Sequence, residues 1–285
     1  MGAGVSGSHR PRPGGDVFLS RAPQSLPDLI AGSLVAAARL LAPAWRGAWA
    51  AMSIAAVLVA VRLGATGVGA VGWSAAAVLA FLVARSALWR LASRRGGLGP
   101  GGLQLGRVEA RLLAVWLLGA IFLFVLALLA FVLLLCFAYA AASAGHGFVA
   151  SDVSTWAPAV DGRGKIMVSV VALAAGWGMA WAATRISLAE PATVASERVK
   201  VLETWPLTRG QVLPIFVARL IVGAGAAALL TLPWRLGVST PGGGVFGAWA
   251  ARACDGWVVA GLWLPLDVGL MAYFHRSATG PESGG

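Results

Sequence analysis

The sequence predicts an all-α integral membrane protein: a helical bundle of about six transmembrane helices, with an N-terminal and a central amphipathic interfacial helix. Hydrophobic residues make up 59% of the 285 residues and charged residues only 12%, whereas about a quarter of the residues in a soluble domain are charged. Several apolar runs also reach the ~20 residues that a helix needs to cross a bilayer. Composition and run length together exclude a soluble globular protein.

One membrane domain is expected over residues 25–274. The preceding segment 1–24 is rich in Gly, Pro and Arg and lacks the apolar core of a signal peptide, so it predicts a disordered basic tail. A second short disordered tail is expected at 275–285. The predicted spans are 45–61, 71–91, 110–140, 166–184, 211–234 and 249–274.

The segment before the first span is amphipathic and contains Asp28 and Arg39. We expect an interfacial helix over residues 25–42 that ends before Pro43, because proline disfavours helix in the preceding residue. The alternative is one tilted helix over residues 29–61 that carries Arg39 into the membrane.

The basic residues lie between the apolar runs, so the net charge of +11 is explained by topology and not by binding to nucleic acid. With six spans, sixteen Lys and Arg residues fall on the side of the termini and five on the other. This bias predicts that both termini are cytoplasmic. It also predicts attraction of anionic lipids to the cytoplasmic face. The Gly-rich basic loop 94–106 has no Lys-Ser/Thr and predicts a solvated linker, not a phosphate-binding loop.

The longest polar segment of the second half, residues 185–210, separates two predicted spans and is here called the elbow. Ser187 and Glu190 have the spacing of a capping box, and Pro191 suits a first helical turn. Residues 192–204 then predict a short amphipathic helix at the interface. Arg198 faces its apolar side, which favours a snorkelling side chain that reaches lipid phosphate over an ion pair with a neighbouring helix.

The elbow ends with Trp205, Pro206 and a second capping-box spacing from Thr208 to Gln211. Its pattern resembles the elbow of a bacterial family of multi-pass inner-membrane proteins, which includes the membrane domain attached to some glycerophosphoryl diester phosphodiesterases. The matching residues are Arg185, Ser187, Leu188, Ala189, Pro191, Ala192, Val194, Trp205, Leu207, Thr208, Arg209 and Gly210. The resemblance implies a location in the bacterial inner membrane and a membrane domain without an assigned biochemical role. In that family the phosphodiesterase activity belongs to a separate soluble barrel, which these 285 residues do not encode.

Two charged residues stand out inside the last two predicted spans, Arg219 and Asp267. Each lies about 10–12 Å from the inner end of its span, at 1.5 Å per residue. An isolated charge at the centre of a span costs roughly 2.5–3.5 kcal/mol on insertion scales, so the matching depths predict an Arg219–Asp267 ion pair. Three interpretations stay open: a pair that fixes helix register, a substrate or proton site, and two unpaired side chains that snorkel to the interface.

No catalytic or metal-binding motif is found. The three histidines are scattered, both His-Glu-x-x-His and Gly-x-Ser-x-Gly are missing, and Cys136 and Cys254 are far apart. We therefore expect no cofactor, no metal and no enzymatic activity. The favoured function is a non-enzymatic accessory, scaffold or lipid-organising protein, acting with a membrane-protein partner or as a homo-oligomer. The alternative is a small permease or permease subunit that uses Arg219 and Asp267.

Overall fold

The computed structural model describes residues 25–93, 97–145, 147–235 and 244–279, and none of these residues lies in a β-strand. The helices are α1 (Leu26–Gly47), α2 (Trp49–Gly64), α3 (Gly69–Ser93), α4 (Arg107–Ser143), α5 (Trp156–Ala159), α6 (Gly162–Ile186), α7 (Ala189–Ser196), α8 (Val212–Leu230), α9 (Leu232–Arg235), α10 (Gly244–Trp257) and α11 (Leu264–Thr279). A π-helical turn, Val258–Trp263, joins α10 to α11. The predicted all-α class is confirmed. The predicted tail 1–24 lies outside the described residues.

Six helical segments of the described chain are long and apolar enough to cross a membrane. They are Leu26–Gly47, Gly69–Ser93, Pro100–Ser143, Gly162–Ser196, Val212–Leu230 and Gly247–Thr279. The chain is therefore a multi-pass helical bundle consistent with a membrane protein. Large hydrophobic side chains of α4 and α6, among them Leu117, Phe124 and Leu173, are exposed on its surface, as expected where a protein faces lipid.

The N-terminal helix corrects one prediction. Helix α1 does not end before Pro43; it continues through this proline to Gly47, and the break falls at Ala48. Proline within a helix removes one backbone hydrogen bond, and in a packed bundle neighbouring groups can offset that loss. The predicted first span at 45–61 overlaps α2, which begins at Trp49 and ends at Gly64. With 16 residues, α2 is shorter than the ~20 needed to cross a bilayer.

Helix α1 packs antiparallel against α11, and glycine makes the approach possible. A Cβ atom on Gly269 would lie only 2.7 Å from the Cα atom of Ala37. At the other end of the contact, Trp45 stacks on Trp257 with 5.3 Å between ring centroids. Helices α2 and α10 approach equally closely, because Gly256 lies against the backbone carbonyl of Ala56. Such contacts are typical of helices in lipid, where small residues let backbones approach.

The main hydrophobic core lies between α1, α2, α3, α11 and the adjoining ends of α4 and α8. Trp89, Phe274 and Met52 are its largest fully buried side chains. Part of the segment predicted as a solvated linker also joins this core, because Gly102 is buried against Ala48. A φ of +81° at Gly102 is a conformation that glycine adopts readily.

The last helix also runs further than predicted. Residues 275–279, expected in the disordered tail, continue α11 to Thr279, and Ser277 Oγ donates to the carbonyl of Phe274. Residues 280–285 of that predicted tail lie outside the described residues. At the opposite end of this span, α10 begins at Gly244, five residues before the predicted start at 249.

The elbow is less helical than predicted. Helix α7 ends at Ser196, and Glu197 adopts a left-handed conformation with φ +55°, so the expected helix over 192–204 is wrong beyond Ser196. Both predicted capping boxes are also wrong. Ser187 Oγ donates to the carbonyl of Thr184, and Thr208 Oγ1 donates to the carbonyl of Trp205. Pro191 does lie in the first turn of α7, and it is buried.

Candidate functional site

Asp267 is the centre of a buried group of charged side chains. It lies in the first turn of α11, two residues after Pro265, and its side chain is 2% exposed. Arg219 of α8 donates from Nε to Oδ1 at 2.9 Å and from Nη2 to Oδ2 at 3.3 Å. The contact that the sequence predicted between these two residues is therefore present, with the paired geometry that an arginine fork favours.

A second arginine reaches the same carboxylate from α3. Arg85 Nη2 donates to Asp267 Oδ2 at 2.8 Å, and its Nε donates to Glu190 Oε2 at 2.5 Å. Its side chain is 6% exposed. Arg85 thus bridges the last helix of the chain and the first turn of α7.

Glu190 is held by two indoles in addition to Arg85. Trp89 Nε1 donates to Oε2 at 2.8 Å, and Trp116 Nε1 donates to Oε1 at 2.9 Å. Trp89 lies one turn beyond Arg85 on α3, and Trp116 belongs to α4. We call this group the ionic network; its members are Arg85, Trp89, Trp116, Glu190, Arg219 and Asp267.

The ionic network is neutral and saturated. Two arginines balance two carboxylates, and all four carboxylate oxygens accept a hydrogen bond from an arginine or a tryptophan. The members come from α3, α4, α7, α8 and α11, so the network connects five helices. Removing one partner of a buried ion pair costs about 3–5 kcal/mol because the other charge remains buried. This geometry holds helices in register and leaves no carboxylate oxygen in the network without a donor.

A second buried ion pair lies further along α3. Arg90 Nη2 and Ser86 Oγ both donate to Glu109 Oε1 at 2.6 Å, and Arg90 Nη1 donates to Gln104 at 2.9 Å. Glu109 is in the first turn of α4 and is 3% exposed. Its other oxygen, Oε2, has no hydrogen-bond partner among the described residues. This pair fixes the start of α4 against the end of α3.

The elbow motif forms its own contacts around Arg185. Its guanidinium lies 4.9 Å from the ring centroid of Trp181 and 5.6 Å from that of Trp205. Nη1 donates to the carbonyl of Trp205 at 3.1 Å and to Thr208 Oγ1 at 3.2 Å. Cation–π contacts and these hydrogen bonds together fasten the end of the elbow to α6.

Part of the elbow motif lies at the surface, whereas Pro191 and Ala192 are buried. Arg198, Arg209 and Gly210 are exposed. Gly210 has a φ of +78°, which glycine adopts without strain. Arg198 lies beyond the end of α7 and not on its apolar side as predicted, because the helix stops two residues earlier.

Three carboxylates close to the elbow, Glu109, Glu190 and Glu197, do not share partners. Glu109 contacts Arg90 and Ser86, Glu190 contacts Arg85 and the indoles, and exposed Glu197 lies 3.8 Å from Arg111. Among the described residues no group of three or more His, Cys, Asp and Glu side chains could hold a metal ion. Cys136 and Cys254 are both free and exposed.

The sequence did not single out Arg85, Glu190, Trp89 and Trp116 as members of a site. A signal was available for Arg85, because it lies inside the predicted span 71–91, and a charge within a span needs a partner. Glu190 has the spacing of a capping-box residue, and that spacing gives no indication that its carboxylate pairs with Arg85.

Comparisons with family models, with curated proteins and with solved structures find no match to this chain.

Proposed function

We propose that the protein is a non-enzymatic scaffold or accessory protein of the bacterial inner membrane that also organises anionic lipids at its cytoplasmic face. The observation that carries the proposal is the saturated ionic network. A site that binds a cationic substrate or carries a proton needs a carboxylate oxygen that the protein itself leaves open. In the network every carboxylate oxygen already has a donor from the protein.

The distribution of basic residues supports the cytoplasmic placement of both termini in this proposal. The sequence bias of sixteen Lys and Arg against five follows the positive-inside rule. Several of the sixteen, among them Arg39, Arg46, Arg107, Arg198 and Arg209, have exposed side chains. Each basic residue near an anionic leaflet contributes ~1 kcal/mol of attraction. The resemblance of the elbow to a bacterial inner-membrane family remains a prediction from sequence and agrees with this location.

Two observations favour a permease as the second candidate. The side chain of Arg219 is 32% exposed, whereas that of Asp267 is 2% exposed, so a ligand could reach the guanidinium from outside the network. Asp267 also follows a π-helical turn and Pro265, and π-helical turns are frequent at functional sites.

Native mass spectrometry of the protein in lipid nanodiscs separates the two functions. The informative variant is the double substitution Arg219→Met with Asp267→Leu, which removes one charge of each sign and leaves the Arg85–Glu190 pair balanced. The control is Lys200→Met with Glu203→Leu, which removes an exposed pair whose charged atoms lie 3.3 Å apart. A scaffold is expected to keep the same bound lipid and any stoichiometric partner protein in both variants.

A small molecule that is bound to the wild type and to the control, and is lost only from the Arg219–Asp267 variant, would overturn the scaffold proposal in favour of the permease. Transport measured in proteoliposomes would then decide which solute moves.

A further inference from the structure

A basic cavity lies beside the second ion pair, between the end of α3, the start of α4 and the end of α7. It has a volume of about 250 Å³. The residues that line it are Arg90, Arg107, Val108, Arg111, Thr193, Val194 and Glu197. Three arginines from two helices therefore surround one opening that is large enough for a phosphate group.

The three arginines differ in how far the protein already uses them. Arg90 is fixed by Glu109 and Gln104 at 2.6 and 2.9 Å. Within the described part of the chain, the ion-pair contact of Arg111 is a long one of 3.8 Å to exposed Glu197, and exposed ion pairs of this kind contribute little. Arg107 is exposed. Two guanidinium groups at the cavity are thus available to a ligand, and an arginine fork matches a phosphate in geometry and charge.

An exposed apolar surface follows the cavity along the same face of α4. Arg107 and Arg111 are four residues apart on α4 and share one face. Leu118 and Val125 follow at intervals of seven residues, which keeps them within about 20° per step of that face. Both are exposed. The rise from Arg111 to Val125 is about 21 Å, enough to accompany an acyl chain through one leaflet of a hydrocarbon core ~30 Å thick.

We propose that this cavity binds the phosphate of an anionic phospholipid, with Arg107 and Arg111 on the headgroup and the apolar face of α4 along an acyl chain. Charge complementarity selects an anion, and the apolar face next to the arginines selects one that carries a hydrocarbon tail. Glu197 competes with the headgroup for Arg111. The inference rests on the proposed function, because it names the place at which the scaffold would hold anionic lipid.

The test compares lipid retention by native mass spectrometry after release from nanodiscs that contain phosphatidylglycerol and phosphatidylcholine. The site variant is Arg107→Ala with Arg111→Ala. The control is Arg39→Ala with Arg46→Ala, which removes the same charge from exposed positions of α1. We expect the site variant to lose about tenfold in phosphatidylglycerol retention for each charge-assisted hydrogen bond removed. The control removes only the general attraction to an anionic surface, about fivefold for each basic residue. The site variant loses this attraction as well, so we expect its retention to fall at least about tenfold further than that of the control.

A third variant, Glu197→Gln, keeps the shape of an exposed side chain and removes the competing charge. We expect it to raise phosphatidylglycerol retention, because Arg111 then faces the headgroup alone, while retention of phosphatidylcholine stays unchanged. Circular dichroism of all variants checks that they are folded.

Three results would overturn the proposal that this cavity binds an anionic phospholipid. The first is an equal fall in phosphatidylglycerol retention in the site variant and in the control. The second is lower retention in Glu197→Gln. The third is release of the lipid by millimolar inorganic phosphate, which would show that the cavity binds phosphate without requiring an acyl chain. With any of these results the scaffold proposal would still stand, provided that the wild type keeps its lipid. A wild type that retains neither lipid nor partner protein counts against the scaffold proposal and the cavity together.

Discussion

Arg85 and Asp267 are 182 positions apart in the sequence and are joined by a 2.8 Å hydrogen bond between two nearly inaccessible side chains. The same aspartate accepts from Arg219, so one carboxylate serves two guanidinium groups. This arrangement makes the two sides of the Arg219–Asp267 pair unequal. Without Arg219, Asp267 keeps its hydrogen bond from Arg85, whereas without Asp267, Arg219 has no carboxylate partner among the described residues and Arg85 keeps only Glu190.

We therefore expect Asp267→Leu to destabilise the protein more than Arg219→Met. Loss of Asp267 removes three hydrogen bonds and leaves two arginines with Glu190 as the one carboxylate of the network, which should cost about 3–5 kcal/mol. Loss of Arg219 leaves Asp267 paired with Arg85 and removes a guanidinium that is 32% exposed, so it should cost about 1–2 kcal/mol. Thermal unfolding in nanodiscs measures the order. Equal losses, or a larger loss for Arg219→Met, would contradict the geometry described here.

The indole donors to Glu190 give a second prediction. Trp116→Phe keeps the aromatic ring and removes the hydrogen bond of 2.9 Å to Oε1. Because the acceptor is a charged carboxylate whose side chain is only 14% exposed, we expect a loss of about 1.5–3 kcal/mol in the free energy of unfolding. Trp177→Phe is the control, since this tryptophan is exposed and its indole makes no hydrogen bond within the described chain. Similar midpoints of unfolding for both variants would show that the indole donor does not matter.

Close packing of α1 on α11 can be tested at a glycine. In Gly269→Ala the new methyl group would lie 2.7 Å from the Cα atom of Ala37, and a backbone atom cannot move aside cheaply. We expect destabilisation of about 1–3 kcal/mol. Gly223→Ala is the matched control within α8, because a Cβ atom there meets nothing within 4 Å. Thermal unfolding of both variants is the measurement, and the control is expected to equal or exceed the wild type in stability.

The elbow should depend on the arginine at its start. Arg185→Lys keeps the charge but loses the planar group that lies against Trp181 and Trp205 and the two hydrogen bonds of Nη1. Lysine does not replace arginine at a stacked site. We expect faster cleavage after Glu203 by a Glu-specific protease, by about tenfold if roughly 1.4 kcal/mol of local stability is lost. Arg209→Lys, at an exposed position, should be cleaved like the wild type.

Topology can be tested with single cysteines in a chain whose Cys136 and Cys254 are replaced by alanine. The proposal of cytoplasmic termini places the loop before α6 outside the cell and the elbow inside it. A membrane-impermeant maleimide added to intact cells is then expected to label Ala150→Cys and not Arg209→Cys, both at exposed positions. The opposite pattern would reverse the orientation, and lysed cells provide the labelling control for both sites.

Hydropathy was sufficient to predict the fold class and most of the spans. Polar groups are costly in lipid, so a membrane span must be a long run of apolar residues, which the sequence shows directly. The similar distances of Arg219 and Asp267 from the inner ends of their predicted spans also predicted the contact between them. The rest of the network depends on tertiary contacts at separations of 74 to 182 residues, which periodicity does not encode. Glu190 has the spacing of a capping residue. Its carboxylate instead accepts hydrogen bonds from side chains of α3 and α4, which come close to it only in the folded protein.

The breaks in the helices were predicted less well than the spans. Pro43 was expected to end α1, yet the helix passes through it and breaks at Ala48. In the elbow, helical periodicity over residues 192–204 was outweighed by the left-handed turn at Glu197. In both places packing against neighbouring helices decides where the backbone changes direction, and local propensity does not.

The π-helical turn at Val258–Trp263 divides the last span into two parts with different angular phase. A π turn holds more residues than an α turn. The part of the span beyond it is therefore rotated by about 100° relative to its position in an uninterrupted α-helix of the same sequence. Before the turn, Gly256 contacts α2; after it, Asp267 faces Arg85. An uninterrupted α-helix of this sequence would present one of these two residues to lipid. Deletion of one residue within the turn would instead allow a regular α-helix in which Gly256 and Asp267 keep their present faces, while this span became one residue shorter.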